Sequence, residues 1–298
     1  MAPLDSGPTP IGAGGDVTAL HALPARRVLL AGVGSILHAL DSESGARLAA
    51  AVALPAGARV HGLRSLEAGA DGDYLLAVHG DVWVAGWRLK RAGTDGPVTL
   101  TRAWTARAPS WAHDALPLPD GRGGCASVAV GTADNAVSLA RWDEGGGGGR
   151  GALAPLAPLA RCPARGVLYS MALLDRVPSG SSVDLWVAAG TAFLEVAVWR
   201  VPRFARRGGD PPPAPSTVPA PLLSLAGHTG SIHRVVWAPG GARLASASDD
   251  RSVRVWAVDA DGSPPPPPAV LAGHGARLWD VAFLEVSLEA GGAPVACV

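Results

Sequence analysis

Between Gly227 and Ala257 the chain reads GHTGSIHRVVWAPGGARLASASDDRSVRVWA, which gathers His228, Ser246 and Asp250 into one stretch. A serine beside a histidine that is itself held by an aspartate is the set used for acyl transfer. The imidazole takes the hydroxyl proton, and the carboxylate orients and steadies the imidazolium. That chemistry also requires an exposed nucleophile and donors aimed at an oxyanion. The chain has no G-x-S-x-G elbow and no accompanying cleft signal. The expectation is that these side chains hold structure together and that no residue is catalytic.

Other reactive residue types give weaker patterns. Cys125, Cys162 and Cys297 are widely spaced, odd in number and without CxxC or nearby His pairs. They point to no disulfide framework and no zinc site, and to a reducing compartment. AGVGSI (31–36) and GAGGDV (12–17) mimic fragments of phosphate-binding loops, but no helical pattern follows either, so both are read as turns. Asp71 and Asp73 read as a polar turn, since no calcium-loop pattern follows. No metal, cofactor or small-molecule ligand is expected.

The elements that would position these residues are suggested by composition and repetition. The chain has 298 residues, with 39 Gly, 27 Pro and 10 Trp but only three Phe and two Tyr. Much of the Gly and Pro lies in runs such as 145–149 and 264–268, so the chain reads as folded blocks joined by loose loops. The formal net charge of zero argues against a whole-surface basic field. All basic residues except Lys90 are Arg, which fits the general skew toward Ala, Gly and Pro better than selection for phosphate contacts. RVPRFARR (200–207) is the one tight basic cluster and reads as a solvated loop. The start lacks a secretory pattern, and no apolar run approaches the ~20 residues needed to span a bilayer. A cytoplasmic location without membrane contact is expected.

Short alternating runs recur in pairs across tight turns, the mark of hairpins. Four of the second segments end at Trp87, Trp142, Trp199 and Trp256, spaced by 55, 57 and 57 residues. Leu40 takes that place in a first unit, 47 residues before Trp87. A further apolar segment precedes each of the four later hairpins, and candidate outer strands follow some of them. Four strands per unit at this period predict β-propeller blades with insertions between them, and no helical period competes. The predicted organisation is an all-β propeller of four-stranded blades over 27–298, after a flexible segment 1–26. Disordered loops are expected near 145–160, 205–220 and 260–268.

The segment from Gly227 to Asp259 closely resembles a WD repeat. Its Gly-His pair, PGG turn, SASDD hairpin and closing Trp match the pattern, although Ala257 stands where the motif's Asp would be. A second Gly-His at 273–274 opens another unit. The resemblance implies a hydrogen-bonded tetrad of His228, Ser246, Asp250 and Trp256. At the Asp place, six residues before the closing Trp, the second unit has Asp81, the third Ala136 and the fourth Phe193. The last two units are expected to rely on packing alone.

RVHGL (59–63), GTADNAVSLARWD (131–143), GTAFLEVAVW (190–199) and GHGARLWDVAF (273–283) resemble a narrower group. This is the WD-repeat partners of the tRNA wobble-nucleotide 2'-O-ribose methyltransferases, in their amino-terminal part. The resemblance implies a non-catalytic scaffold that binds the methyltransferase and helps position tRNA for methylation of nucleotide 34. S-adenosylmethionine would belong to the partner, and tRNA would be met through the complex. The alternative is a general WD-repeat interaction platform without an RNA role, such as a ubiquitin-ligase or chromatin adaptor. About five blades and part of a sixth are expected, as in a fragment of a longer multi-propeller protein.

Strand order would bring His233, Arg234, Arg251 and Arg277 to one rim, where they could meet a partner or RNA phosphates. Ordinary solvation, or pairing with Asp249 and Asp280, is the plainer reading. Trp111 and Trp279 lie in or beside innermost strands and are expected to pack in the core.

Overall fold

Runs that alternate or stay apolar over five to ten residues, broken by Gly, Asp and Asn turns, form antiparallel strands throughout. The computed structural model describes residues 16–298 except 69–71, 120–124, 142–156, 163–167, 177–183, 203–221, 260, 285–294 and 298. By contact, residues 1–130 with 140–156 form one unit, and residues 131–139 with 157–298 form a second.

The first sheet contains β1 (Val17–Leu23), β2 (Val28–Val33), β3 (Ile36–Asp41) and β4 (Arg47–Val52), in that order. The second contains β5 (Gly62–Ala68), β6 (Asp73–Gly80), β7 (Trp83–Arg91) and β8 (Val98–Arg107). The third contains β9 (Ala112–Pro119), β10 (Cys125–Thr132), β11 (Ala136–Arg141) and β12 (Ala157–Arg161). The fourth contains β13 (Leu168–Arg176), β14 (Asp184–Thr191), β15 (Glu195–Pro202) and β16 (Leu223–Ala226). The fifth contains β17 (Ile232–Trp237), β18 (Arg243–Ser248), β19 (Val253–Ala257) and β20 (Ala269–Leu271). A pair, β21 (Ala282–Leu284) and β22 (Val295–Cys297), follows. Sequential four-stranded antiparallel sheets of this kind are propeller blades.

Two parts of the expected organisation are corrected. The flexible segment 1–26 contains β1, which pairs along β2 from Val17↔Val33 to Leu23↔Val28, followed by a 3-10 turn at Pro24–Arg26. VTALHAL alternates well enough to add an edge strand despite the Gly and Pro before it. The loop expected near 145–160 gives way to β12 at Ala157, which pairs with β11. Residues 145–156 and 205–220 lie outside the described residues. Residues 261–268 run without regular structure, and their start is fixed by Asp261, which accepts from the Ser263 backbone N–H at 2.9 Å.

Each unit packs its own core. In the first unit Leu30, Leu37, Val60, Leu76, Trp87 and Leu89 form one cluster. In the second, Trp186, Val198, Leu225, Val235, Trp237 and Trp256 form another. Trp237 donates its indole N–H to the Ala172 carbonyl at 3.1 Å and meets Trp186 edge-on, with ring centroids 6.3 Å apart, so β17 is keyed to the fourth sheet.

Candidate functional site

The fifth sheet brings His228, Ser246, Asp250 and Trp256 into one chain of hydrogen bonds. Ser246 lies mid-strand on β18 and Trp256 on β19. Leu244 pairs with Trp256, so Ser246, two residues on, shares the face toward which the indole leans. Trp256 donates Nε1–H to Ser246 Oγ at 2.9 Å. Ser246 Oγ lies 2.8 Å from His228 Nε2, and His228 Nδ1 lies 2.8 Å from Asp250 Oδ2. Burial lowers the His228 pKa, although its hydrogen bond to Asp250 pulls the other way, so the ring is neutral. A carboxylate only accepts, so Nδ1–H donates to Asp250 and Nε2 accepts the Ser246 O–H, whose oxygen in turn accepts from Trp256.

The carboxylate is itself held. Burial pushes the Asp250 pKa up, but hydrogen bonds from Ser252, His228 and Thr229 together hold it well below the usual carboxylate range. Asp250 Oδ1 accepts from Ser252 N at 2.9 Å and Ser252 Oγ at 2.6 Å, while Oδ2 accepts from Thr229 N at 3.0 Å. Ser248 Oγ donates to the Gly230 carbonyl at 2.9 Å, tying the loop before β17 to the β18–β19 turn. A Cβ at Gly230 would meet Asp250 N at 2.7 Å, so only glycine lets the two backbones approach this closely.

The Ser–His–Asp order of contacts matches that of a hydrolase triad, but the surroundings do not. Ser246 is 0% exposed and its hydroxyl is engaged on both sides. Among the described residues no cluster of His, Cys, Asp or Glu could hold a metal ion, and no helix is long and apolar enough to cross a membrane.

The other sheets show what the quartet adds. In the fourth, Val187 pairs with Trp199, the same twelve-residue offset that separates Leu244 from Trp256. Ala189 therefore holds the Ser246 place and Phe193 the Asp250 place. Trp199 is fully buried, and its Nε1–H finds no acceptor among the described residues. In the second sheet Leu76 pairs with Trp87, an offset of eleven, so the hairpin is one residue shorter. That slip moves Asp81 from the Asp250 place to the Asp249 place, correcting the reading by distance from Trp. One carboxylate there takes on two tasks. Its Oδ1 lies 3.1 Å from His61 Nε2, as Asp249 lies 2.9 Å from His233, and its Oδ2 accepts from Arg59 N at 3.0 Å.

His233, Arg234, Arg251 and Arg277 all come to one end of the fifth sheet. β17 begins where β18 ends, with Ile232 opposite Ser248, and Leu278 N donates to the Ser248 carbonyl at 3.2 Å. Asp249 holds His233 and lies 3.6 Å from Arg277, while Arg234 lies 3.0 Å from Asp280. Arg251 is exposed at the hairpin turn with φ of 66°.

Sequence reasoning missed the exposed aromatic residues at strand ends. Trp111 is 44% exposed and Trp279 is 63% exposed, so neither is a core residue. Trp111 stands one residue before β9 and Trp279 three residues before β21, at strand ends where the sheet no longer covers them. His61 stacks on Trp111 with ring centroids 4.9 Å apart, and His233 on Trp279 at 4.5 Å. Tyr169 holds the His233 place in the fourth sheet, and both sit at irregularities in register that turn them toward the rim. Aligning the units on strand register, with a ring-bearing residue at His61, Tyr169 and His233, would have disclosed the set.

Residues 219–257 match the family model described as WD domain, G-beta repeat. The chain is 32% identical over 133 residues to the tRNA (34-2'-O)-methyltransferase regulator WDR6 of Drosophila melanogaster, covering 43% of this chain and 12% of that protein. To the Homo sapiens protein of the same description it is 29% identical over 172 residues, covering 53% of this chain and 14% of that protein. It is also 46% identical over 41 residues to nuclear distribution protein nudF 1 of Talaromyces marneffei, a stretch of 14% of this chain and 9% of that one. The matched stretches thus span 12% and 14% of the length of the two regulators.

Proposed function

We propose that this WD-repeat chain is a non-catalytic scaffold subunit that binds a tRNA 2'-O-ribose methyltransferase and helps position tRNA for methylation of nucleotide 34. The observation that carries this reading is the likeness to tRNA (34-2'-O)-methyltransferase regulators, which extends well beyond one repeat, over 133 and 172 residues. The nudF 1 match covers 41 residues and carries the repeat alone. The sealed Ser246 hydroxyl supports a structural role for the quartet, with methyl transfer left to the partner. The rim supports tRNA contact through the assembled complex more than through this chain alone. Asp249 and Asp280 already offset Arg277 and Arg234, and exposed ion pairs of this kind contribute weakly. Under this proposal the scaffold acts in the cytoplasm.

Deleting the gene and mapping 2'-O-methylation in tRNA tests the proposal. Loss of methylation at position 34, with other ribose methylations retained, is expected. Unchanged methylation at that position would contradict it.

A further inference from the structure

We infer that the end of the fourth sheet built by Phe193, Leu194 and Tyr169 docks a protein partner by inserting apolar side chains into a pocket of that partner. The partner's identity, the methyltransferase, rests on the function proposed above; the surface rests on geometry.

The fourth and fifth hairpins have the same length, yet the residue at the Asp250 place turns outward in the fourth. Phe193 is 62% exposed, Leu194 is 41% exposed and Tyr169 is 45% exposed. Tyr169 lies between Leu168 and Ser170, which face Thr191 and Gly190, so it stands at the same end of the sheet as the turn. Single exposed apolar residues are ordinary, but a group of large ones at one sheet end marks a binding surface. Leu194 has φ of 71°, a left-handed conformation unusual for leucine, and its side chain stays in solvent. The turn is braced from within. Thr191 Oγ1 accepts from Phe193 N at 3.1 Å and donates to the Glu195 carbonyl at 2.9 Å. A tip held this way loses little freedom when it binds.

Charge decides between a protein and a nucleic acid. Tyr169 stacks on His233 with ring centroids 5.1 Å apart, and His233 meets Trp279. Two arginines along this row are already matched, Arg277 by Asp249 and Arg234 by Asp280. A phosphate backbone would have to compete with those carboxylates and gains little from the row. Phe, Tyr and Trp flanked by neutralised charge are the composition of a protein–protein anchor.

The test is titration calorimetry of the full chain with the tRNA 2'-O-ribose methyltransferase of the same organism. It compares the native chain with Phe193→Asp, with the double change Phe193→Ala and Leu194→Gly, and with Leu20→Asp as an exposed control on β1. Phe193→Asp installs the residue type that the fifth sheet carries there, so the hairpin keeps a compatible turn, and unchanged melting curves verify it. Both fourth-sheet variants are expected to weaken binding by about tenfold or more, and Leu20→Asp to leave it unchanged. Native-like affinity of both variants overturns the docking surface and leaves the proposed function standing. No binding by the native chain removes the proposed function and the docking assignment with it. Retained enzyme affinity with lost tRNA retention by the complex assigns this face to RNA and also overturns the inference.

Discussion

In the fifth sheet Asp250 turns inward and completes a chain of four polar side chains that ends on the Trp256 indole. In the fourth, with the same strand register, Phe193 turns outward, Ala189 replaces the serine, and the Trp199 N–H is buried with no acceptor among the described residues. Both tryptophans are buried, so packing alone suffices to bury such a residue. The polar quartet adds a fixed path for the loop before β17 and satisfaction of one N–H. A buried donor left without an acceptor costs about 1–3 kcal/mol, which burial of the rest of the Trp199 side chain offsets. Freed from the internal network, the fourth turn can present apolar side chains to solvent.

This contrast can be broken at several points. Trp256→Ala and Trp199→Ala should each lose about 3–5 kcal/mol in urea unfolding, because each removes a buried indole. A small loss at Trp199 would mean that its sheet is already loose. Replacement by phenylalanine should separate the two. Trp256→Phe leaves Ser246 without a donor and is expected to cost about 1 kcal/mol more than Trp199→Phe, which removes an orphaned N–H. Ala189→Ser should supply the missing acceptor and raise stability by about 0.5–1.5 kcal/mol, read as a shift in the urea midpoint at constant slope. No gain would mean that the indole does not lean toward position 189 as it does toward Ser246.

The smallest effect is in pH. His228 has a lowered pKa in the folded state, so the unfolded chain binds the proton first as pH falls. Its stabilising contribution is complete above the ordinary value near 6.5 and declines as pH drops from there toward the folded value. His21, lowered to about 4 by burial and by Arg64, acts in the same direction in the other unit. Unfolding free energy should therefore fall as pH goes from 7 to 5, and His228→Gln should flatten part of that slope. An unaltered slope in that variant would show that His228 shares no titration with folding.

Much of the plan was legible because WD-repeat spacing is local. His228, Ser246, Asp250 and Trp256 lie within one loop and one hairpin, so distance along the chain nearly fixes distance in space. The same rule failed at Asp81, where a hairpin shorter by one residue shifts every position between the turn and the tryptophan. Distance from Trp87 cannot reveal that slip; the pairing Leu76↔Trp87 does. β1 and β12 were hidden by the Gly- and Pro-rich sequence around them, since an edge strand has only one neighbour and carries a weak pattern. The pairing of the rim arginines depends on Asp249, 28 residues from Arg277, and Asp280, 46 residues from Arg234, and sequence could offer that only as one alternative. The exposed rings at Tyr169, Trp111 and Trp279 required knowing where strands begin.

The most direct test reads Ser246→Ala in a complex reconstituted with the proposed methyltransferase partner, at a temperature where the variant is folded. The hydroxyl sits between His228 and Trp256, so its removal should lower the unfolding free energy by about 1–3 kcal/mol and leave methylation of tRNA nucleotide 34 at the native rate. A variant that melts like the native chain but no longer supports methylation would contradict a structural role for the quartet.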